Sequence, residues 1–372
     1  MQGQWLGSYS GSNNGQILVD CDHVDDHLEG YAIVTDNQPG PASFVEFRTP
    51  TLGTKFSLRL PVQVIDPMTA EPGDWNKVAP LFSGFSFPNY ADANFEWIGD
   101  QLRIEWQTDI NTYGAALLEG SQASQPPLIQ PLSNVTNWQE FRAYAQKLDP
   151  YRFIFRGQQD SRWRLRTGFH RTGRTNLARY YRQDVQTLRR HFSAILPHQF
   201  DLKDGFQYAA FIGLAQHHGF PTPMLDWTYS PFVAAYFAFQ GITNSAAKIA
   251  PPGRTARIFM FDKTEWTQTF LQVPKLAPLP PHFTIIEPLA IANPRMIPQQ
   301  ALVSLTNIDD VETYIDFAQK LCGKTFLHVI DLPIQERPAI MTELALMGVA
   351  AGSLLPGLDG TCAELKERFF QL

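Results

Sequence analysis

The side chains best equipped for chemistry lie in three short runs. Residues 151–157, YRFIFRG, read as a strand that delivers Arg156 directly before Gly157. Residues 211–239 carry His217 and His218, then Asp226, Trp227, Thr228 and Ser230, then Tyr236. Residues 293–302 carry Arg295 and Gln299. Arginine offers a rigid fork of donors that grips phosphate or carboxylate through two parallel bonds. Histidine, aspartate and hydroxyl groups beside it could orient a bound ligand or move a proton. The combination points to a phosphate-bearing ligand. A hydrolase using His217 or His218 with Asp226 is the weaker reading, because no Gly-x-Ser-x-Gly elbow supplies a nucleophile.

Local structure must bring these groups together. Ser230-Pro231 reads as a helix start, with serine as N-cap and proline at the first helical position, where a missing N–H costs nothing. Residues 206–217 read as a helix closed by His217 and His218 and stopped by Gly219. Asp226, Trp227 and Thr228 then form a turn leading to a helix N-terminus, a place suited to anions. Each group has a structural alternative. Asp226 could simply cap its own turn, the histidines could be satisfied groups on an apolar face, and Tyr236 and Phe237 could be core. Between residues 152 and 190 there are eleven arginines and no lysine, against only Asp160 and Asp184. Arg179, Arg182, Arg189 and Arg190 fit the outer face of a helix carrying Leu177, Tyr181, Val185, Leu188 and Phe192. Arg156, Arg162, Arg164 and Arg166 flank strand or loop positions and suit a phosphate.

The elements ahead of this region are of another kind. Residues 16–20, 30–34, 44–48, 56–60, 62–65, 95–98, 102–106 and 115–118 alternate apolar and polar side chains between turn signals. Eight short strands imply an all-β barrel or sandwich over residues 1–120. Cys21, His23 and His27 are zinc-type ligands, but their spacing matches no finger and no CxxC accompanies them; they read as a polar loop, with no metal. Residues 121–135, rich in Ser, Gln and Pro, read as a linker. Residues 136–372 form the second domain, with strands at 151–157, 257–261 and 326–330 and helices near 138–148, 339–347 and 362–370. The chain's 372 residues suit two domains, and its net charge of -6 gives no global pull toward nucleic acid or anionic membrane. Three scattered cysteines imply no disulfide framework. The first residues lack the basic and apolar regions of a signal peptide, and the longest apolar run, 231–239, is too short to span a bilayer. The expectation is a cytoplasmic protein with no membrane partner.

Taken in order, Phe155-Arg156-Gly157, residues 213–239, Asn293-Pro294-Arg295 with Gln299, and residues 353–360 (SLLPGLDG) resemble the FRG domain. That family is named for its Phe-Arg-Gly signature and occurs in many bacterial and phage genomes. The resemblance spans residues 138–370 and leaves the β-rich part aside. The second domain is also distantly similar to arginine-dependent ADP-ribosyltransferases, in which an Arg-Gly strand grips the phosphates of NAD, a second strand carries Ser-Thr-Ser and a third carries a glutamate. Phe155-Arg156-Gly157 matches the first element and Thr228-Tyr229-Ser230 is similar to the second. The third departs, with Gln299-Gln300 where a glutamate would stand and Glu287 and Glu343 as the nearest alternatives. The resemblance implies an α+β fold, NAD as substrate, and ADP-ribosyl transfer to nucleic acid or protein by a toxin or defence effector. In that reading Arg156, Thr228, Ser230, Gln299 and His217 act in catalysis. Arg156, Gly157, His218, Asp226, Trp227, Tyr236 and Arg295 hold the cofactor. The front domain would engage an antitoxin or regulatory partner. The alternative is a non-catalytic module that binds nucleotide or nucleic acid.

Overall fold

The computed structural model describes residues 1–275 and 279–370. Ten strands come first: β1 (Gly3–Gly11), β2 (Asn14–Val24), β3 (His27–Asp36), β4 (Ser43–Arg48), β5 (Lys55–Pro61), β6 (Gln63–Asp66), β7 (Glu71–Gly73), β8 (Tyr90–Ile98), β9 (Gln101–Thr108) and β10 (Tyr113–Glu119). They form one antiparallel sheet in the order β5-β8-β9-β10-β1-β2-β3-β4-β6-β7. Period-two alternation turns Ala91, Ala93, Phe95 and Trp97 of β8 inward and Asp92, Asn94 and Glu96 outward. The sheet curls, because Phe47 of β4 and Phe56 of β5 share one core with Trp5, Val19, Trp97 and Leu102 although the two strands lie far apart in the strand order. Strands β1 and β7 add to the eight expected. Cys21 points into this core, and His27 is held by Asp26 and Glu29 at 3.0 Å each, so the zinc-type ligands diverge. No metal-binding group is present among the described residues.

The second domain is built on six strands: β11 (Phe153–Gln158), β12 (Met224–Thr228), β13 (Thr255–Asp262), β14 (Phe283–Ile286), β15 (Ala301–Thr306) and β16 (Leu327–Pro333). Its main helices are α1 (Trp138–Ala145), α2 (Gly205–His217), α3 (Pro231–Phe239), α4 (Val311–Cys322), α5 (Arg337–Leu346) and α6 (Leu358–Phe370). The sheet runs β14-β15-β12-β11-β13-β16, all antiparallel. Alternation sends Ile154, Trp227, Phe259 and Leu302 toward α4. On the other face Phe155, Ile258 and Met260 pack under α1, α3 and α5, while Met224, Val303 and Leu305 pack under α2. Two helical clusters thus share that face. The seam between them lies where β11 and β12 touch at one residue pair, Phe155 opposite Thr228.

Residues 121–135 lie along this sheet rather than hanging between domains. Leu132 N–H donates to Val329 O at 2.9 Å, and Leu128 N–H to Glu312 at 3.1 Å. The two domains are joined by buried polar bonds. Asp22 accepts from Thr175 N–H (2.7 Å), Asn176 N–H (3.1 Å) and Arg174 Nε (3.3 Å). Gln4 donates to Asn307 O (2.7 Å) and accepts from Asp309 N–H (2.8 Å). No helix of the described residues is long and apolar enough to cross a membrane.

Two buried histidines set an acid limit on this fold. Burial pushes His170 and His282 down from the usual 6.5 to about 4. Between those values the unfolded chain binds more protons than the folded one, so stability falls as pH falls. The contribution is complete above pH 6.5 and is lost toward pH 4, on the order of 3 kcal/mol per histidine as an upper limit. Thermal unfolding midpoints should therefore drop through this window, and His170→Gln should flatten the drop. A midpoint independent of pH across it would contradict the assignment.

Candidate functional site

The seam between β11 and β12 is a cavity of about 330 Å³. Where the ladder stops, Arg156 reaches across and its Nη1 donates to Asp226 O at 2.8 Å. That is its one side-chain hydrogen bond among the described residues, and its buried Nε has no partner there. Burial lowers the pKa of this guanidinium; Asp226 acts against the shift and Arg171 adds to it. Asp226 lines the cavity and, among the described residues, is the one carboxylate to do so.

The opposite wall is His217 at the end of α2, with Arg295 and Gln299 from the loop before β15 and Leu355 from the loop before α6. His217 Nδ1 lies 2.9 Å from Asn293 Oδ1, and Arg295 Nη1 donates to His217 O at 3.2 Å. With Nδ1 donating to the amide oxygen, His217 Nε2 is left as a proton acceptor. Thr228 donates to Gln299 O (2.7 Å) and accepts from Ser230 N–H (3.0 Å), so its hydroxyl is committed to the wall. Gln299 Nε2 donates to Leu354 O at 2.9 Å.

Of the expected residues, Arg156, Gly157, His217, Asp226, Thr228, Arg295 and Gln299 meet at the cavity, and Trp227 borders it as well. Trp227 lies between two of them on β12, but strand alternation turns its indole to the other face, where Nε1 donates to Ser304 at 2.9 Å. Ser230 serves as N-cap of α3, accepting from Val233 N–H at 3.3 Å, and does not line the cavity. His218 is exposed beyond the end of α2. Tyr236 is in the core beside Ala235 and Ile340, with burial raising its phenol to about 12. The expected Asp226-Trp227-Thr228 turn is a strand, and the hydroxyl of Thr228, not the carboxylate of Asp226, holds the turn into α3.

A second lobe of about 600 Å³ adjoins the cavity and shares Arg156, Gly157 and Phe237 with it. The arginines expected to face a phosphate are here largely spent on carboxylates. Arg162 pairs with Asp160 (2.6 Å) and Arg164 with Asp310 (2.7 Å). Arg166 forks onto Asp309, its Nη2 at 3.0 Å. Farther off, Arg152 and Arg174 are bound to Asp262 and Asp22. Arg171 pairs with no carboxylate among the described residues; its Nη1 donates to Arg166 O at 2.6 Å, and burial and Arg166 lower its pKa. Arg171 was not singled out from the sequence, and Phe237, a core candidate there, lines both lobes. The available signal for Arg171 was an arginine without a nearby acid, which composition alone cannot isolate. Glu287 is tied to Lys263 (2.6 Å) and Tyr229, and Glu343 to Trp138 Nε1 (2.7 Å) and Arg142, so neither reaches the cavity.

Fold and site together define an α+β domain with a split antiparallel sheet, whose seam holds a cationic groove facing one carboxylate. Residues 151–247, which follow the curled β-sheet in the chain, match the family model of the FRG domain. No curated protein matches the chain. Among solved structures, a redesigned beta barrel, mFAP1, bound to DFHBI is similar at 11% identity, covering 32% of this chain and 93% of its own, with a TM-score of 0.22, too weak a likeness to assign anything.

Proposed function

We propose that the FRG domain binds NAD across the two-lobed groove and transfers its ADP-ribose to a nucleic-acid or protein acceptor. The observation that carries this reading is Arg156, placed where the lobes meet with most of its donors unspent. A dinucleotide carries its charge in the middle and a nucleoside at each end. A forked cation between two lobes complements that pattern. Arg171 and Arg295 add positive charge on either side.

The chemistry asked of the site is breakage of the ribose–nicotinamide bond. The bonding pair leaves with the nicotinamide nitrogen and neutralises its positive charge. Positive charge then builds on the ribose, where a fixed carboxylate stabilises it. Asp226 is the group available for this. The acceptor adds to the same carbon and gives up a proton, which His217 Nε2 can take. Asp226→Asn should keep or strengthen NAD binding, because it removes a negative charge near the pyrophosphate. It should also lower turnover by at least about a hundredfold. A variant with unchanged turnover would remove Asp226 from the mechanism.

A second reading is a non-catalytic nucleotide-binding module, and one observation favours it: among the described residues no glutamate lines the cavity, and Gln299 spends its amide on Leu354 O. Incubation with labelled NAD and lysate separates the two. Label transfer or nicotinamide release supports the enzyme. Binding of NAD without either supports the module, and absence of NAD binding by folded protein sinks both for this nucleotide. A toxin or defence role, with an antitoxin or other partner on the front sheet, rests on the family resemblance alone.

A further inference from the structure

The curled sheet encloses a second, chemically different cavity. It has a volume of about 170 Å³. Its walls are apolar and aromatic, including Val34, Phe87, Phe95, Ile104 and Trp106, with the small side chain of Ala93 leaving the space open. One charged side chain among the described residues lines it, Asp36, at the end of β3. That carboxylate is fixed in place, since Tyr9 Oη donates to its Oδ1 and Asn13 Nδ2 to its Oδ2 at 2.8 Å. No lysine, arginine or histidine pairs with it among the described residues. The Tyr9 phenol is kept protonated by burial and by Asp36, so it stays a donor.

The wall is shaped for this space. Tyr9 and Trp106 lie with ring centroids 5.2 Å apart. A Cβ on Gly114 would come within 2.2 Å of the Trp106 ring, so the indole lies flat across a strand that has no side chain there. Phe85 and Phe87 line the cavity from the loop before β8. Tyr9 and Asp36 sit at the ends of β1 and β3 farthest from Gln4 and Glu29, the end joined to the FRG domain. The Tyr9–Asp36 end of the cavity is therefore the end away from the domain interface.

We propose that this cavity binds a small organic amine, with a single aromatic ring or a short branched alkyl group in the apolar interior and its ammonium on Asp36. Its size is close to that of an engineered protein cavity of about 150 Å³ that takes up benzene, which sets the ligand at one ring. An unpaired carboxylate at the rim of an apolar, aromatic-lined space favours a cation, through charge-assisted hydrogen bonds and the faces of Trp106 and Tyr9. An anionic ligand would meet Asp36 with no compensating charge. A sugar would bury hydroxyls against walls that cannot pair them. The mouths of curled β-sheets are common places for such sites.

The test is calorimetry and tryptophan fluorescence on the full chain with 2-phenylethylamine and its carboxylate counterpart, 3-phenylpropionate. The amine should bind and change tryptophan emission, and the carboxylate should bind at least about tenfold more weakly. Asp36→Asn, a change at the rim, should erase that preference. Ala93→Leu should abolish amine binding by filling the cavity. The proposal is overturned if folded protein shows no amine binding at about 1 mM, if the carboxylate binds equally, or if Asp36→Asn leaves amine affinity unchanged. Should Ala93→Leu fail to fold, the Asp36→Asn comparison decides.

Discussion

Replacing Arg156 with alanine is expected to weaken NAD binding by at least about a hundredfold while leaving the fold in place. A forked, charge-assisted contact to a pyrophosphate in a partly dry cleft is worth roughly 3 kcal/mol or more, and each 1.4 kcal/mol is about a factor of ten. The structural cost of the change is small. The Arg156 side chain makes one hydrogen bond among the described residues, to Asp226 O, and its charge is disfavoured by burial and by Arg171. Loss of one bond and relief of that burden nearly cancel, so the unfolding free energy should move by no more than about 1 kcal/mol. Arg156→Lys should recover only part of the affinity, because an ammonium is a point charge without the fork. ADP-ribose should compete with NAD for the wild-type protein, since it keeps the pyrophosphate, and adenosine should not. Calorimetry with all three ligands, alongside thermal unfolding, makes the measurement. An alanine variant that binds NAD as wild type does would remove the clamp from the site.

What could be read from the sequence is what local chemistry decides. Ser230 and Pro231 start α3 because a hydroxyl and a ring closure suit those two positions whatever surrounds them. Gly219 stops α2 because its φ of 84° is open to glycine. The alternation of residues 95–98 needs only their neighbours in the chain, although the strand begins earlier, at Tyr90. Strand β12 could not be found this way. It is five residues long, set between Pro223 and Ser230-Pro231, and its sheet partners Phe155 and residues 301–305 are remote in the chain on either side. Once β12 is a strand, alternation decides that the side chains of Asp226 and Thr228 face the cavity and that the Trp227 indole does not. The arginines show the same limit. Arg164 and Arg156 look alike in sequence, yet Asp310, 146 residues on, takes the first, and no carboxylate among the described residues takes the second. Tyr236 and Phe237 differ only by one step around α3, which separates the core from the groove.

The glycine of Phe155-Arg156-Gly157 should be as intolerant of change as the arginine, for a reason of packing. A Cβ on Gly157 would lie 1.9 Å from Ala234 O and 2.5 Å from Ala238 N, both backbone atoms of α3. A side chain could rotate away from such a clash, but a helix backbone can only retreat as a body. Its retreat is opposed by Ala234, Ala235, Ala238 and Phe239, all fully buried beneath α1 and α5. Moving α3 off β11 would open that core and shift Phe237, which walls both lobes of the groove. Gly157→Ala should therefore cost more than about 3 kcal/mol, a fall in unfolding midpoint of roughly 10 °C. Gly213 is the control, because the same substitution there meets nothing within 4 Å. In the middle of α2, alanine should stabilise by about 0.5–1 kcal/mol. Opposite signs for one chemical change would show that contact with α3, and not the entropy of glycine, fixes residue 157. If both variants were equally stable, the helix would have room to move, and Gly157 would have to be explained by close approach of a ligand to the β11 backbone.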